Sequence, residues 1–152
     1  IVPACARHGC GVLAYMPLMQ GLLSGRWKSA NDIPQLRRRT RHFSRDREGA
    51  RHGEAGCEGL TFETLRAIQT IADGLGQPMA SVALAWAIAQ PEITSVIVGA
   101  RRAKQLQRNL EGVGLAMSNE VIMALITATQ PLKEYFGRNA AMWLSEPERR
   151  IR

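Results

Sequence analysis

The residues best placed for chemistry form the run Gly99-Ala100-Arg101-Arg102-Ala103-Lys104. Ahead of it, Thr94-Ser95-Val96-Ile97-Val98 is rich in β-branched residues and reads as a buried strand. Behind it, spacing through Leu106 and Leu110 predicts a helix over Arg102–Val113. Backbone N–H groups and the positive end of a helix dipole converge at such a turn, which makes it an anion site by geometry. Cations in a first helical turn oppose the dipole by about 0.3–1 kcal/mol each, and a bound anion reverses that penalty. The bland alternative leaves Arg101, Arg102 and Lys104 pointing into water. Gln105 and Asn109, four residues apart, either extend the site with amide hydrogen bonds to a phosphate or purine or are ordinary surface amides.

A second turn follows another short strand: Tyr15-Met16-Pro17-Leu18-Met19-Gln20-Gly21-Leu22-Leu23-Ser24-Gly25. Pro17 stiffens the backbone there, and Gly21 and Gly25 permit close approach by a ligand. Tyr15 offers a flat ring for stacking, although an aromatic at a strand end is more often core. Cys5, His8 and Cys10 have no second half with zinc-type spacing, so they read as packing residues rather than metal ligands. His8, His42, His52 and Tyr15 are the nearest proton donors, but each lacks the lysine and aspartate partners that would tune it for catalysis.

These residues need elements to position them. Gly11–Tyr15 is apolar on successive residues and reads as a parallel strand covered on both faces. From Met16 to Gly59 there is little periodicity, with many Gly, Arg and Ser residues, so a long solvated loop with a short helical turn is expected. Thr61–Leu75 places Phe62, Leu65, Ile68, Ala72 and Leu75 on one helix face. Met79–Gln90 is apolar almost all round between Pro78 and Pro91, as for a helix packed between layers. Ser118 caps a last helix expected to end near Pro131, with residues 131–152 as a tail. Strands alternating with helices indicate a parallel α/β fold, yet two strands leave their edges open, so other strands must complete the sheet.

Composition narrows the classes. The chain has 152 residues, 45% of them apolar, enough for one compact core and so for a single domain over 1–152. Its longest apolar run, Val82–Ala89, is far short of the ~18 residues that span a membrane. The formal net charge is +7, and Arg26–Glu54 holds nine basic and four acidic residues, 9 − 4 = +5. Three cysteines suit reduced thiols in the cytoplasm better than a disulfide framework. The chain opens at Ile1 in what reads as the middle of an element, which suggests a fragment. Two other classes compete: an arginine-rich nucleic-acid module using Arg37, Arg38, Arg39, Arg41, Arg45, Arg47 and Arg51, and a non-catalytic half barrel that self-associates through open strand edges. The first is disfavoured because only Phe43 can stack a base and Asp46, Glu48 and Glu54 interrupt the charge.

Two segments carry a family resemblance. AYMPLMQGLLSGRW (Ala14–Trp27) and SVALAWAIAQPEITSVIVGARRAKQLQRNL (Ser81–Leu110), in this order, resemble the carboxyl-terminal part of the aldo-keto reductase superfamily. The likeness runs from Val12 to about Gln130, and Arg41–Glu58 resembles a loop of bacterial members. The segment Tyr135–Arg152, with Gly137-Arg138-Asn139 and Met142-Trp143, is similar to the same subgroup. The resemblance implies an NADP(H)-dependent carbonyl reductase on a (β/α)8 TIM barrel, with this chain matching the last two strands, their helices and the terminal segment. A complete barrel takes ~250 residues, so about its first half lies outside this chain. It further implies that Tyr15 stacks on nicotinamide and that Pro17, Leu18, Gln20 and Gly21 line the pyrophosphate path. Gly99, Ala100, Arg101, Gln105, Arg108 and Asn109 would hold the adenosine 2′-phosphate and adenine. Met16 stands where the family usually has Ser, and Arg108 where an acidic residue often contacts adenine. The family's catalytic Tyr, Lys, Asp and His come from earlier strands, so no catalytic residue carries over, and a small carbonyl substrate is expected only with the missing half.

Overall fold

The computed structural model describes residues 2–139 and 141–145. Its elements are α1 (Val2–Arg7), β1 (Val12–Tyr15), α2 (Glu58–Gly74), α3 (Met79–Ile88), β2 (Ile93–Ile97), α4 (Ala103–Val113) and α5 (Asn119–Phe136). Short 3-10 turns at Met19–Ser24, Ala30–Asp32 and Gln35–Arg37 occupy part of the expected loop. The described residues form two compact units, one from the start to Arg26 with Gln69–Ala124, the other from Trp27–Ile68 and Leu125 onward. No helix among them is long and apolar enough to cross a membrane.

In the first unit, β1 and β2 pair in parallel as a two-stranded sheet, with Leu13 opposite Ser95, Ala14 opposite Val96 and Tyr15 opposite Ile97. The register shifts between Val12 and Leu13, where the Thr94 hydroxyl accepts the Val12 N–H at 3.1 Å. A side-chain oxygen thus replaces a ladder acceptor at the irregularity. Helix α3 starts immediately after Pro78 and packs on β2, burying Met79, Val82, Leu84 and Ala85. Helix α4 lies against α3 so closely that a Cβ at Gly112 would come within 2.9 Å of the Ser81 Cα. The sheet face bearing Leu13, Tyr15 and Ile97 stays open, at 61%, 72% and 52% exposure. This corrects the expectation of strands covered on both faces: the apolar run forms a parallel strand, but no second layer covers this face among the described residues.

The second unit corrects the reading of the arginine-rich stretch as a solvated loop. Thr40, Arg41, His42 and Phe43 are all buried, Phe43 completely. Arg41 directs Nε at both oxygens of Glu54 at 2.8 Å, Nη1 at the Asn139 carbonyl at 3.0 Å and Nη2 at the Phe136 carbonyl at 3.3 Å. Its guanidinium also lies 5.2 Å from the centre of the Phe136 ring. Arg47 grips Glu58 through two bonds of 2.8 and 2.6 Å, and Ser44 N–H reaches the same carboxylate at 3.0 Å. These donors hold the Glu58 carboxyl below its usual range. A Cβ at Gly56 would overlap the Phe43 carbonyl, and φ there is 75°, so only glycine lets the chain fold back at this point.

Helix α5 corrects the expected stop near Pro131 and the tail assigned to residues 131–152. The helix continues through Pro131 to Phe136. Proline there loses one backbone bond, but the segment beyond it is held by packing: Phe136 meets His42 edge-on at 4.7 Å and Arg41 caps its carbonyl. Beyond the helix, Asn139 is buried, and the Met142 carbonyl accepts the Arg41 N–H at 2.8 Å. Ala140 and residues 146–152 of that tail lie outside the described residues.

His42 sets a pH dependence. Burial, reinforced by the nearby charges of Arg41 and His52, pushes it down from 6.5 to about 4. The unfolded chain therefore takes up a proton that the folded chain refuses, and stability falls as pH drops from 6.5 to about 4. The loss across that window should be roughly 3 kcal/mol, measured by urea unfolding against pH, and His42→Gln should flatten it. Gly56→Ala should cost roughly 3 kcal/mol or more, read in the same unfolding assay; an unchanged midpoint would mean that the close approach to Phe43 is absent.

Candidate cofactor site

Because β1 and β2 run in the same direction with Tyr15 opposite Ile97, the two turns singled out in the sequence leave the sheet at one edge. This is the carboxyl edge, where α/β folds place ligands. Met16–Gly25 departs from β1, and Val98–Arg102 departs from β2 to enter α4.

The first turn is held in a costly conformation. Met16, Met19 and Gln20 have φ of 56°, 43° and 56°, in the left-handed region that side chains disfavour. Backbone bonds from Met19 N–H to the Met16 carbonyl (2.9 Å) and from Gly21 N–H to the Leu18 carbonyl (2.8 Å) close the turn. The Ser24 hydroxyl donates to the Gly21 carbonyl at 2.6 Å. Leu22 is buried and the turn packs on α3, which holds Pro17, Leu18, Gln20 and Gly21 in place. Tyr15 presents its ring from the open face of the sheet.

The second turn presents charge. Gly99, Ala100, Arg101, Arg102, Lys104, Gln105 and Arg108 are exposed, and Asn109 is half-buried. Helix α4 has neither an acidic residue in its first turn nor a side-chain cap at Arg102. Among the described residues, none of these cations is ion-paired. One expected ligand is engaged internally: the Gln105 amide oxygen accepts the Arg101 N–H at 2.8 Å. It satisfies a donor that the helix start would otherwise leave orphaned, so this amide must turn aside before that N–H can serve an anion.

Gln20 Oε1 and Asn109 Nδ2 are among the buried side-chain polar atoms that meet no hydrogen-bond partner. Gln20 lies in the first turn, and Asn109 lies inside α4, seven residues beyond Arg102. Leaving such an atom unmet costs about 1–3 kcal/mol, and a ligand presenting hydrogen-bond donors at this edge would relieve Gln20 Oε1. The residues present therefore fit a dinucleotide. Sequence reasoning named Gln20 and Asn109 but missed the left-handed backbone at Met16 and Met19, for which their residue types give no signal. It also missed Thr94, whose hydroxyl helps to set the strand register. No group of metal-ligating side chains occurs among the described residues.

A parallel sheet whose carboxyl edge leads into a helix start with exposed, unpaired cations is placed to meet an anion. The aldo/keto reductase family model matches residues 1–128, and the chain belongs to that family. The L-glyceraldehyde 3-phosphate reductase of Escherichia coli (strain K12) is 37% identical over 109 residues, covering 70% of this chain and 29% of that protein. A probable voltage-gated potassium channel subunit beta of Arabidopsis thaliana is 31% identical over 115 residues, 74% of this chain and 32% of its own length. An aldo-keto reductase of Schizosaccharomyces pombe, named with NADP(+), is 24% identical over 124 residues, 80% of this chain and 34% of its own. The chain thus spans about a third of the length of these curated relatives.

The strained turn makes a stability prediction. Gln20→Gly removes a side chain from a left-handed position and should raise unfolding stability by roughly 0.5–1 kcal/mol. Thermal unfolding measures it, and a lowered midpoint would show that Gln20 is held by favourable contacts rather than against its backbone preference.

Proposed function

We propose that this chain is the NADP(H)-holding part of an aldo-keto reductase, corresponding to the last two strands of its barrel, their helices and the terminal segment. The observation that carries the reading is the parallel register of β1 and β2, which brings Tyr15 and the cationic start of α4 to one sheet edge. Arg101, at the helix start, would grip the adenosine 2′-phosphate with its forked donors, and Gly99 and Ala100 would admit the phosphate to the backbone. Gln105, Arg108 and Asn109 would hold the adenine side, Asn109 through its orphaned Nδ2. Pro17, Leu18, Gln20 and Gly21 would line the pyrophosphate path, and Tyr15 would stack on the nicotinamide.

When bound, the reduced dinucleotide supplies a hydride to the carbonyl carbon of an aldehyde or ketone. This chain's residues bind and orient; none of them is assigned the proton transfer, and a carbonyl substrate would be turned over only with the strands that this chain does not carry. A cytoplasmic setting is proposed on the three free thiols. A nucleic acid is the poorer partner, because Arg41 and Arg47 are spent on Glu54 and Glu58. A second reading, a non-catalytic half barrel that pairs with another copy, rests on the exposed apolar face of Leu13, Tyr15 and Ile97.

Titration with NADPH and NADH, followed by tryptophan fluorescence, separates the two readings. Tighter binding of NADPH is expected, and Arg101→Ala should weaken it roughly ten- to a hundredfold while leaving NADH within about twofold. Equal affinity for both dinucleotides, together with a concentration-dependent dimer in sedimentation, would favour the half barrel instead.

A further inference from the structure

We propose that Cys5 and Cys10 form an intramolecular disulfide on oxidation by hydrogen peroxide, making the turn between α1 and β1 a redox-modified site. The inference is independent of dinucleotide binding. Helix α1 ends with Cys10 N–H donating to the Cys5 carbonyl at 2.9 Å and Gly9 N–H to the Ala6 carbonyl at 3.3 Å. Gly9 has φ of 64°. Together these make a Schellman motif, in which the side chains at the positions of Cys5 and Cys10 are brought together, usually as an apolar contact. Here both are thiols. The 2.9 Å hydrogen bond and the covalent bonds flanking it hold the two Cα atoms within about 7 Å, the reach of a disulfide.

Cys10 is exposed and Cys5 partly so, neither is in a disulfide, and the Cys10 thiol, which donates to the His8 carbonyl at 3.7 Å, must rotate from it to meet Cys5. The third thiol, Cys57, belongs to the other compact unit and lies 3.5 Å from the Thr61 hydroxyl, with burial pushing it up. No metal-ligating group that would claim the pair occurs among the described residues. The more exposed thiol reacts first: the Cys10 thiolate attacks a peroxide oxygen, the O–O bond breaks and hydroxide leaves as water after taking a proton, which gives a sulfenic acid. The Cys5 thiolate then attacks that sulfur, forming the S–S bond as the S–O bond breaks and a second water leaves. Two thiols lose two electrons and two protons, and one peroxide becomes two waters. The cross-link closes the turn just ahead of β1, which starts at Val12 and carries Tyr15.

The test is peroxide treatment of the chain, alkylation of remaining thiols and tryptic digestion without reduction. Trypsin cuts at Arg7, so the disulfide joins two separate peptides. Expected are a monomer with alkylation at Cys57 alone, a linked peptide pair two hydrogens lighter than its parts, and three alkylated thiols after reduction. Cys57→Ser should leave the linked pair unchanged. Gly9→Ala, whose added Cβ has open space but whose backbone must stay left-handed, should slow its formation several-fold. Sulfinic acid at Cys10 with Cys5 still alkylated, a predominance of chain-to-chain disulfides, or an unchanged rate in Gly9→Ala would overturn the proposal.

Discussion

The pairing of β1 with β2 is the constraint on which the candidate site depends. Parallel strands share a carboxyl edge, so the turns after Tyr15 and Ile97 emerge side by side. Antiparallel strands of the same length would separate those turns by the length of the sheet, about 15 Å. A slip of one residue would move Tyr15 and Leu13 to the opposite face, because side chains alternate along a strand. The shifted register at Val12 is met by the Thr94 hydroxyl, which accepts the Val12 N–H. Through this register the two turns leave the sheet at the same end.

The positive charge of the chain is used in two physically distinct ways. Arg41 and Arg47 have carboxylates within reach along the chain, Glu54 and Glu58, and become internal struts with several hydrogen bonds each. The Arg41 guanidinium is buried, costly to desolvate, and held by the acceptors that meet its donors, whereas Arg47 is half-buried. Arg101, Arg102 and Lys104, at the positive end of α4, meet no carboxylate in its first turn, and they and Arg108 further along the helix remain in solvent. The first group is structural and the second is available to an external anion.

Much of the fold was legible because burial periodicity survives in the sequence. The helix faces of Phe62, Leu65, Ile68 and Ala72 and of Val82 and Leu84 were visible as spacing, and their residues are buried. Both strands were legible as short β-branched or apolar runs beside glycine. The inward turn of Arg41 was not, since nothing local distinguishes it from Arg37 or Arg51; its partners Phe136 and Asn139 lie about a hundred residues away. Helix α5 passing through Pro131 was hidden for the same reason, because distant packing at Phe136 outweighs a local breaker. At the candidate site, the residue types at Gln20, Arg101 and Asn109 suggested ligand contacts, whereas the left-handed backbone at Met16 and the Gln105 bond to Arg101 belong to the folded turn and have no sequence signature.

Amide chemical-shift mapping of the chain with 2′-phosphoadenosine nucleotides tests most directly whether the two turns form one site. Shifts confined to Gly99–Asn109 with 2′,5′-ADP, spreading to Tyr15–Gly21 when NADP+ replaces it, are the result predicted by a shared strand edge. Shifts centred on the Arg37–Arg51 stretch, or a response to NADP+ in only one of the two turns, would contradict it.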